Sequence, residues 1–118
     1  MQSIFSVEEN LSHARSTEFQ EKGSGTTGGA TATAAAVTAT IHKCKWATFY
    51  TDTDSILQIK DDTTVIWEVK IIIATAGKFA HFPFPEPLVS TVGKALTAVI
   101  ANSSSDCFVS FGGFSTKP

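Results

Sequence analysis

The amino-acid sequence predicts an all-β protein: one small antiparallel domain of short strands, a sandwich or a small barrel, behind an extended N-terminal arm. Three observations carry that expectation. Short apolar runs alternate with polar turn clusters at regular spacing from residue 30 onward. No helical period appears over the same span. The chain is rich in Thr, Ser, Ala and Phe and only 17% charged, which suits strands and contact surfaces better than solvated helices. With 118 residues, 42% of them hydrophobic, there is room for one domain that buries about two-thirds of its unfolded surface. Such a core needs neither a disulfide nor a metal.

Residues 1–30 read as the arm and residues 31–118 as the sandwich domain. Ser6 and Glu9 are spaced as a capping box, and Val7, Leu11 and Ala14 follow at helical spacing, so a short helix is expected over Ser6–Arg15. Gly23-Ser24-Gly25-Thr26-Thr27-Gly28-Gly29 reads as a flexible linker. Ala30 to Thr40, almost all Ala and Thr, is a weakly specified extended segment. Ile41 to Tyr50 adds bulk through Trp46, Phe49 and Tyr50, and Asp52-Thr53-Asp54 makes a turn.

Ser55 to Lys60 is a short strand closed by Asp61-Asp62-Thr63. In the next strand Val65, Trp67, Val69 and Ile71 share one face and Glu68 and Lys70 the other, as in an antiparallel sheet with one buried face. Thr75 to Lys78 is a turn. Phe79 to Phe84, broken by Pro83, Pro85 and Pro87, is an extended, edge-like connection. Gly93 to Ala101 is a strand with Leu96, Ala98 and Ile100 on one face, and Asn102 to Asp106 is a polar loop. The last strand is Cys107 to Phe111, ending at Gly112-Gly113. Five or six strands are thus expected.

The formal net charge is −2, and the nine basic residues are scattered. No basic cluster exists to release counterions from a phosphate backbone, so nucleic-acid binding is not expected. The apolar run from Val65 to Ala76 is interrupted by Glu68 and Lys70 and is too short to span a bilayer as a helix. The first residues lack the basic start and apolar stretch of a secretory signal, so synthesis in a host cytoplasm is expected. Cys44 and Cys107 lie far apart in sequence. They could meet across a sheet, but free buried thiols are the favoured reading.

Candidate chemistry is thin. His13, His42 and His81 are not at ligand spacing, which points to surface or interface histidines and to no metal. Asp52 with Asp54, and Asp61 with Asp62, lack the Gly and bidentate Glu of a calcium loop and read as turn residues. The glycine-rich stretch closes on no Gly-Lys-Ser/Thr, and no Gly-x-Ser-x-Gly elbow is present. Asn10-Leu11-Ser12 and Asn102-Ser103-Ser104 match the glycosylation triplet by chance in an unsecreted chain. No catalytic site and no cofactor are expected.

The aromatic residues remain. Phe79, Phe82, Phe84, Phe108, Phe111 and Phe114 crowd the C-terminal third, more than one small core readily hides. Some belong to the core, and some line a surface that meets another chain. Contact residues are placed at Phe5, Leu11 and Phe19 in the arm and at Phe82, Phe84 and Phe114. A sugar-binding surface is the second expectation, with Trp46, Tyr50 and Trp67 as stacking candidates, although its strand position assigns Trp67 to the core.

The order of features from Cys44 to Phe114 resembles the small β-sandwich, jelly-roll-like structural proteins of tailed bacteriophages, particularly the capsid decoration (cement) proteins. The residues that carry it are Ser55-Ile56-Leu57-Gln58-Ile59-Lys60-Asp61, the alternating strand 65–73, and Phe82-Pro83-Phe84-Pro85-Glu86-Pro87-Leu88. Gly93-Lys94-Ala95-Leu96 and Val109-Ser110-Phe111-Gly112-Gly113-Phe114 complete the pattern. The resemblance implies a virion protein without catalysis that binds the major capsid protein on the capsid surface. It also implies a homo-oligomer, in that family often a trimer, with an arm reaching over neighbouring capsid subunits. Phage tail and head-fibre components use similar sandwiches.

Overall fold

The computed structural model describes residues 16–26, 28–72, 78–101 and 106–117. Every regular element among them is a strand: β1 (Ser16–Gly25), β2 (Ala30–Ala34), β3 (Ile41–Thr51), β4 (Ser55–Asp61), β5 (Thr64–Ile71), β6 (Lys78–Val89), β7 (Leu96–Ala101) and β8 (Cys107–Thr116). All pairings are antiparallel and nested: β1 with β8, β2 with β7, β3 with β6, β4 with β5. The chain is one long folded ribbon, rolled so that its rungs fall alternately into two sheets. Their strand orders are β1-β8-β3-β6 and β2-β7-β4-β5. That nesting is the jelly-roll form of a β-sandwich.

The two inner faces supply the core. Cys44, Ala47, Phe49, Val109 and Phe111 come from the first sheet, and Leu57, Ile59, Leu96, Ala98 and Ile100 from the second. Trp67 closes the core on the β5 side, as its place in the alternating strand predicts. Its ring stacks on Phe49 at 6.1 Å and meets Phe82 and Phe84 edge-on at 4.9 and 5.4 Å. Such edge-to-face pairs add to the area term because a ring's positive edge meets a negative face.

Two bulges set which side chains face in. Cys44 pairs with Gly113 and Trp46 with Gly112, so Lys45 is an extra residue in β3. Buried positions before it are His42 and Cys44; after it they are Ala47, Phe49 and Thr51. In β5, Ile59 pairs with Trp67 and Lys60 with Val65, leaving Ile66 as the extra residue. Val65, expected on the core face, is thereby turned out beside Lys60 and is 42% exposed.

Part of the span read as the arm is strand. Residues 16–25 form β1, which pairs with β8 at ten successive positions, and Ala30 already belongs to β2. The expected helix over Ser6–Arg15 lies outside the described residues. Gly23 and Gly25 are strand residues, not linker: a Cβ on Gly23 would overlap the Thr31 carbonyl, and one on Gly25 the Gly29 carbonyl. Buried Ala30, Ala32 and Ala34 of β2 are small for the same reason. Small residues on both strands let the two sheets close on each other at this corner.

Gly112-Gly113 likewise lies within β8, which continues to Thr116. A Cβ at Gly113 would overlap the Lys43 carbonyl, and one at Gly112 would strike the Trp46 indole. The sequence predicts five or six strands, and the described residues form eight. β1 and β2 were hidden by their Gly, Ala and Thr content, and β6 by its prolines. The last reading held in part, since β6 is an edge strand. The turn at Asp61-Asp62 is where expected, with Asp62 at φ 57°. Gly93-Lys94-Ala95, read as the opening of a strand, instead precede β7, and Gly93 sits in a turn at φ 76°. Most of the turn before Lys78 and of the loop after Ala101 lies outside the described residues.

Gly23→Ala is expected to destabilise the protein by at least about 2 kcal/mol, because backbone must move to admit the methyl group. Gly28→Ala, where a Cβ meets only open space but φ is 78°, is expected to cost about 1 kcal/mol. Urea unfolding of the two variants checks the order.

Candidate functional site

Register separates the two outer faces of the sandwich. Directly opposed residues of an antiparallel pair lie on one face, so β3 and its neighbours define the outside of the first sheet. Tyr50 lies between Phe79 and Phe108, Thr48 between His81 and Ser110, and Trp46 between Pro83 and Gly112. Beyond the bulge, Lys43 pairs with Phe114, which in turn opposes Glu18. Five aromatic side chains, Trp46, Tyr50, Phe79, Phe108 and Phe114, therefore share one outer face. Phe79 is 66% exposed, and the other four are half-buried. The outer face of the second sheet carries Thr31, Thr33, Thr97, Gln58, Lys60, Glu68 and Lys70 together with Ile56, Val65 and Val99, a mixed surface with no aromatic ring among the described residues.

The aromatic face is ordered by its own contacts. The Trp46 indole covers Gly112, filling the space where a Cβ would lie. It stacks on the His81 ring at 6.2 Å, and His81 Nδ1 is hydrogen-bonded to Thr48 Oγ1 at 2.7 Å. A groove of about 520 Å³ runs beside the indole, with Gly113 as part of its lining. Glu18, Phe19 and Gln20 from β1, Lys45 from the bulge and Phe114 complete it. The Lys45 ammonium donates a long hydrogen bond to the Pro85 carbonyl at 3.5 Å. Its volume falls in the range of small-molecule sites, and an aromatic wall with a few polar groups is the usual lining of such sites.

The expected contact residues divide. Phe5 and Leu11 lie outside the described residues. Phe84 is buried, and Phe82 packs against the core beside Phe49, so both rings serve the sandwich and not its surface. Phe19 packs inward on Phe111 and His42, at 5.5 and 5.6 Å. Of the four that are described, Phe114 alone lies on the aromatic face, and Phe19 also lines the groove beside it. Of the stacking candidates Trp46 and Tyr50 lie there too, and Trp67 is inside. Phe79 and Phe108 were not singled out as contact residues. The signal that finds them is the register of β3, with Tyr50 as the shared partner.

His42, expected at a surface or interface, is 4% exposed. Its Nε2 faces the Ala35 carbonyl at 2.8 Å, which can only accept, so that nitrogen carries a proton. Nδ1 is hydrogen-bonded to Ser115 Oγ at 2.7 Å, and the His42 N–H donates to Ser90 Oγ at 2.9 Å. The ring is a satisfied structural polar group. His81 is exposed as expected, and His13 lies outside the described residues. Among the described residues no group of three or more His, Cys, Asp or Glu side chains is placed to hold a metal ion.

Both thiols are free and buried, on different strands. Cys44 Sγ donates to the Trp46 carbonyl at 3.3 Å, and Cys107 Sγ to the Gly25 carbonyl at 3.6 Å. No known protein-family model matches the chain, and no curated protein matches it in sequence.

Burial pushes the Cys44 thiol up to about 12 from 9.0, because the apolar core cannot solvate a thiolate. The raised value means that its share of stability is intact below pH 9 and is lost as pH rises from there toward 12. At pH 8 only about one Cys44 in ten thousand is thiolate. A thiol reagent is therefore expected to leave Cys44 untouched in the native protein and to label it in urea, as mass spectrometry of the labelled peptide would show.

Proposed function

We propose that this protein is a structural, non-catalytic docking module: a capsid decoration (cement) protein of a tailed bacteriophage, bound to the major capsid protein on the outer capsid surface. The observation that carries the reading is the aromatic outer face of the first sheet. Aromatic side chains are what protein interfaces concentrate, since they bury much area for little lost rotamer freedom. Five on one sheet face, opposite a mixed second face without aromatic rings, give the domain a side to dock with. The jelly roll recurs in viral capsid and lectin domains, but fold alone does not assign function; the surface does the arguing. At many equivalent lattice sites a modest interface is enough, because the contacts act together in stabilising the shell. An arm contacting neighbouring capsid subunits would have to come from residues 1–15, because deleting residues 1–29 would also remove β1.

The triple variant Trp46→Ala/Tyr50→Ser/Phe79→Ser changes only outward side chains. It is expected to remain folded by circular dichroism and to lose at least about tenfold in affinity for empty capsid shells, measured by co-sedimentation. Undiminished binding by the folded variant would remove the aromatic face from the interaction.

A second reading, a glycan-binding module of a tail or head fibre, is favoured by the groove. A sugar ring stacked on Trp46 would have Glu18, Gln20 and Lys45 within its polar fringe. A glycan array followed by titration of Trp fluorescence is expected to give a saturable change that Trp46→Ala abolishes. A blank array dismisses this reading and leaves the capsid reading standing.

A further inference from the structure

The four edges of the two sheets are not alike. β6 carries Pro83, Pro85 and Pro87, which have no N–H to offer an incoming strand. β1 and β2 close on each other where the backbones of Gly23 and Thr31 meet. β5 has β4 on one side and, among the described residues, no strand on the other. It contains neither Pro nor Gly. Val65 and Ile66 are exposed, and Ile72, just past its end, is 78% exposed. An open edge of this kind is a template for a further strand.

We propose that β5 pairs antiparallel with β5 of a second copy about a two-fold axis, joining the two four-stranded second sheets into one continuous sheet. Charge and face together select the register. Opposed residues must share a face, so the sum of their numbers is even. With the axis at Val69, Glu68 lies opposite the partner subunit's Lys70, and Lys70 opposite the partner subunit's Glu68. Trp67 then lies opposite the partner subunit's Ile71, which continues the core face across the junction. Ile66 approaches the partner subunit's Ile72, so apolar groups that are wet in the monomer meet at both ends. Shifting the axis to residue 68 opposes two glutamates, and shifting it to residue 70 opposes two lysines. Both neighbouring registers are disfavoured by like charge. The contact is isologous and closes on itself, giving a dimer and not a filament. It uses the second sheet, so it does not depend on how the first sheet's aromatic face is employed.

Sedimentation velocity of the full chain over a concentration series tests this. Wild type is expected to form a concentration-dependent dimer. Glu68→Lys and Lys70→Glu each oppose two like-charged pairs, and each is expected to weaken dimerisation by about tenfold or more. The double variant Glu68→Lys/Lys70→Glu restores opposite charges in the same register and is expected to recover the dimer, which no loss of folding could mimic. Far-UV circular dichroism confirms that each variant keeps its sheets. The proposal is overturned by a wild-type monomer at every concentration, by a trimer, by single variants that dimerise as wild type does, or by a double variant that stays monomeric. A monomer whose β5 amides all resist hydrogen exchange overturns it too, and shows that the chain covers the edge itself.

Discussion

The single extra residue in β3 is the constraint on which the arrangement of this domain depends. β3 is hydrogen-bonded on both sides, to β6 and to β8, so a shift in its alternation is felt across the whole first sheet. Without the bulge at Lys45, the two-residue period that buries His42 and Cys44 would carry Trp46, Thr48 and Tyr50 inward. With it, Ala47, Phe49 and Thr51 turn in, and the large polar-tipped rings turn out. The neighbours adapt. β8 presents Gly112 and Gly113 at the irregularity, because a side chain at either would collide with the indole or with the β3 backbone. On the other side, residues 84–87 of β6 span the interval between the pairs Cys44–Leu88 and Trp46–Pro83. Three of those four residues, Pro85, Glu86 and Pro87, leave Phe84 as the one that turns into the core. One insertion thus produces the aromatic face, the groove beside it and the anchoring of the Pro-rich edge.

The closure of the roll rests on smallness rather than bulk. Where β1 passes over β2, glycine and alanine alternate toward each other and backbone meets backbone. At the opposite side of the sandwich the gap is filled by the largest rings in the core, Phe49, Phe82, Phe84 and Trp67. One side of the sandwich is thus closed by backbone in close approach and the other by aromatic packing. A buried polar group, His42, ties β3 to Ala35 before it, to Ser115 in β8 and to Ser90 after β6. In a dry environment such a group is stabilising only because every polar atom has a partner.

This division also separates structural from interactive residues. A ring facing the core is committed to the fold, and its loss would act through stability. A ring on the outer face contributes little to the core and is available to a partner. Phe82, Phe84 and Trp67 belong to the first kind, and Trp46, Tyr50, Phe79 and Phe108 to the second. Phe79 and Phe84 lie on opposite sides of β6 because their positions differ in parity relative to β3.

The sequence by itself determined the class of this protein and much of its inner pattern. The alternation in Ser55–Lys60, Trp67–Ile71 and Leu96–Ile100 is strong enough to read, because one face of each strand must leave water while the other stays in it. Turn chemistry at Asp61-Asp62 is local, and so it was legible, whereas the turn at Gly93 was read as the opening of a strand. The buried, unbonded state of both cysteines followed from their residue type. Tertiary structure alone decided the rest. Gly23 to Gly29 look like a linker, yet Gly23 and Gly25 are there for close approach to the backbone at Gly29 and Thr31, where the chain crosses to the other sheet, and the buried alanines of Ala30–Ala34 are small at the same corner. Bulges at Lys45 and Ile66 invert the parity that sequence periodicity assumes, and only pairing with a neighbouring strand reveals them. The histidine at position 42 can be buried because Ser90 and Ser115, remote in the chain, join nearby Ala35 in satisfying it. Which aromatics face outward is a matter of register, and register is a property of the sheet, not of any one strand.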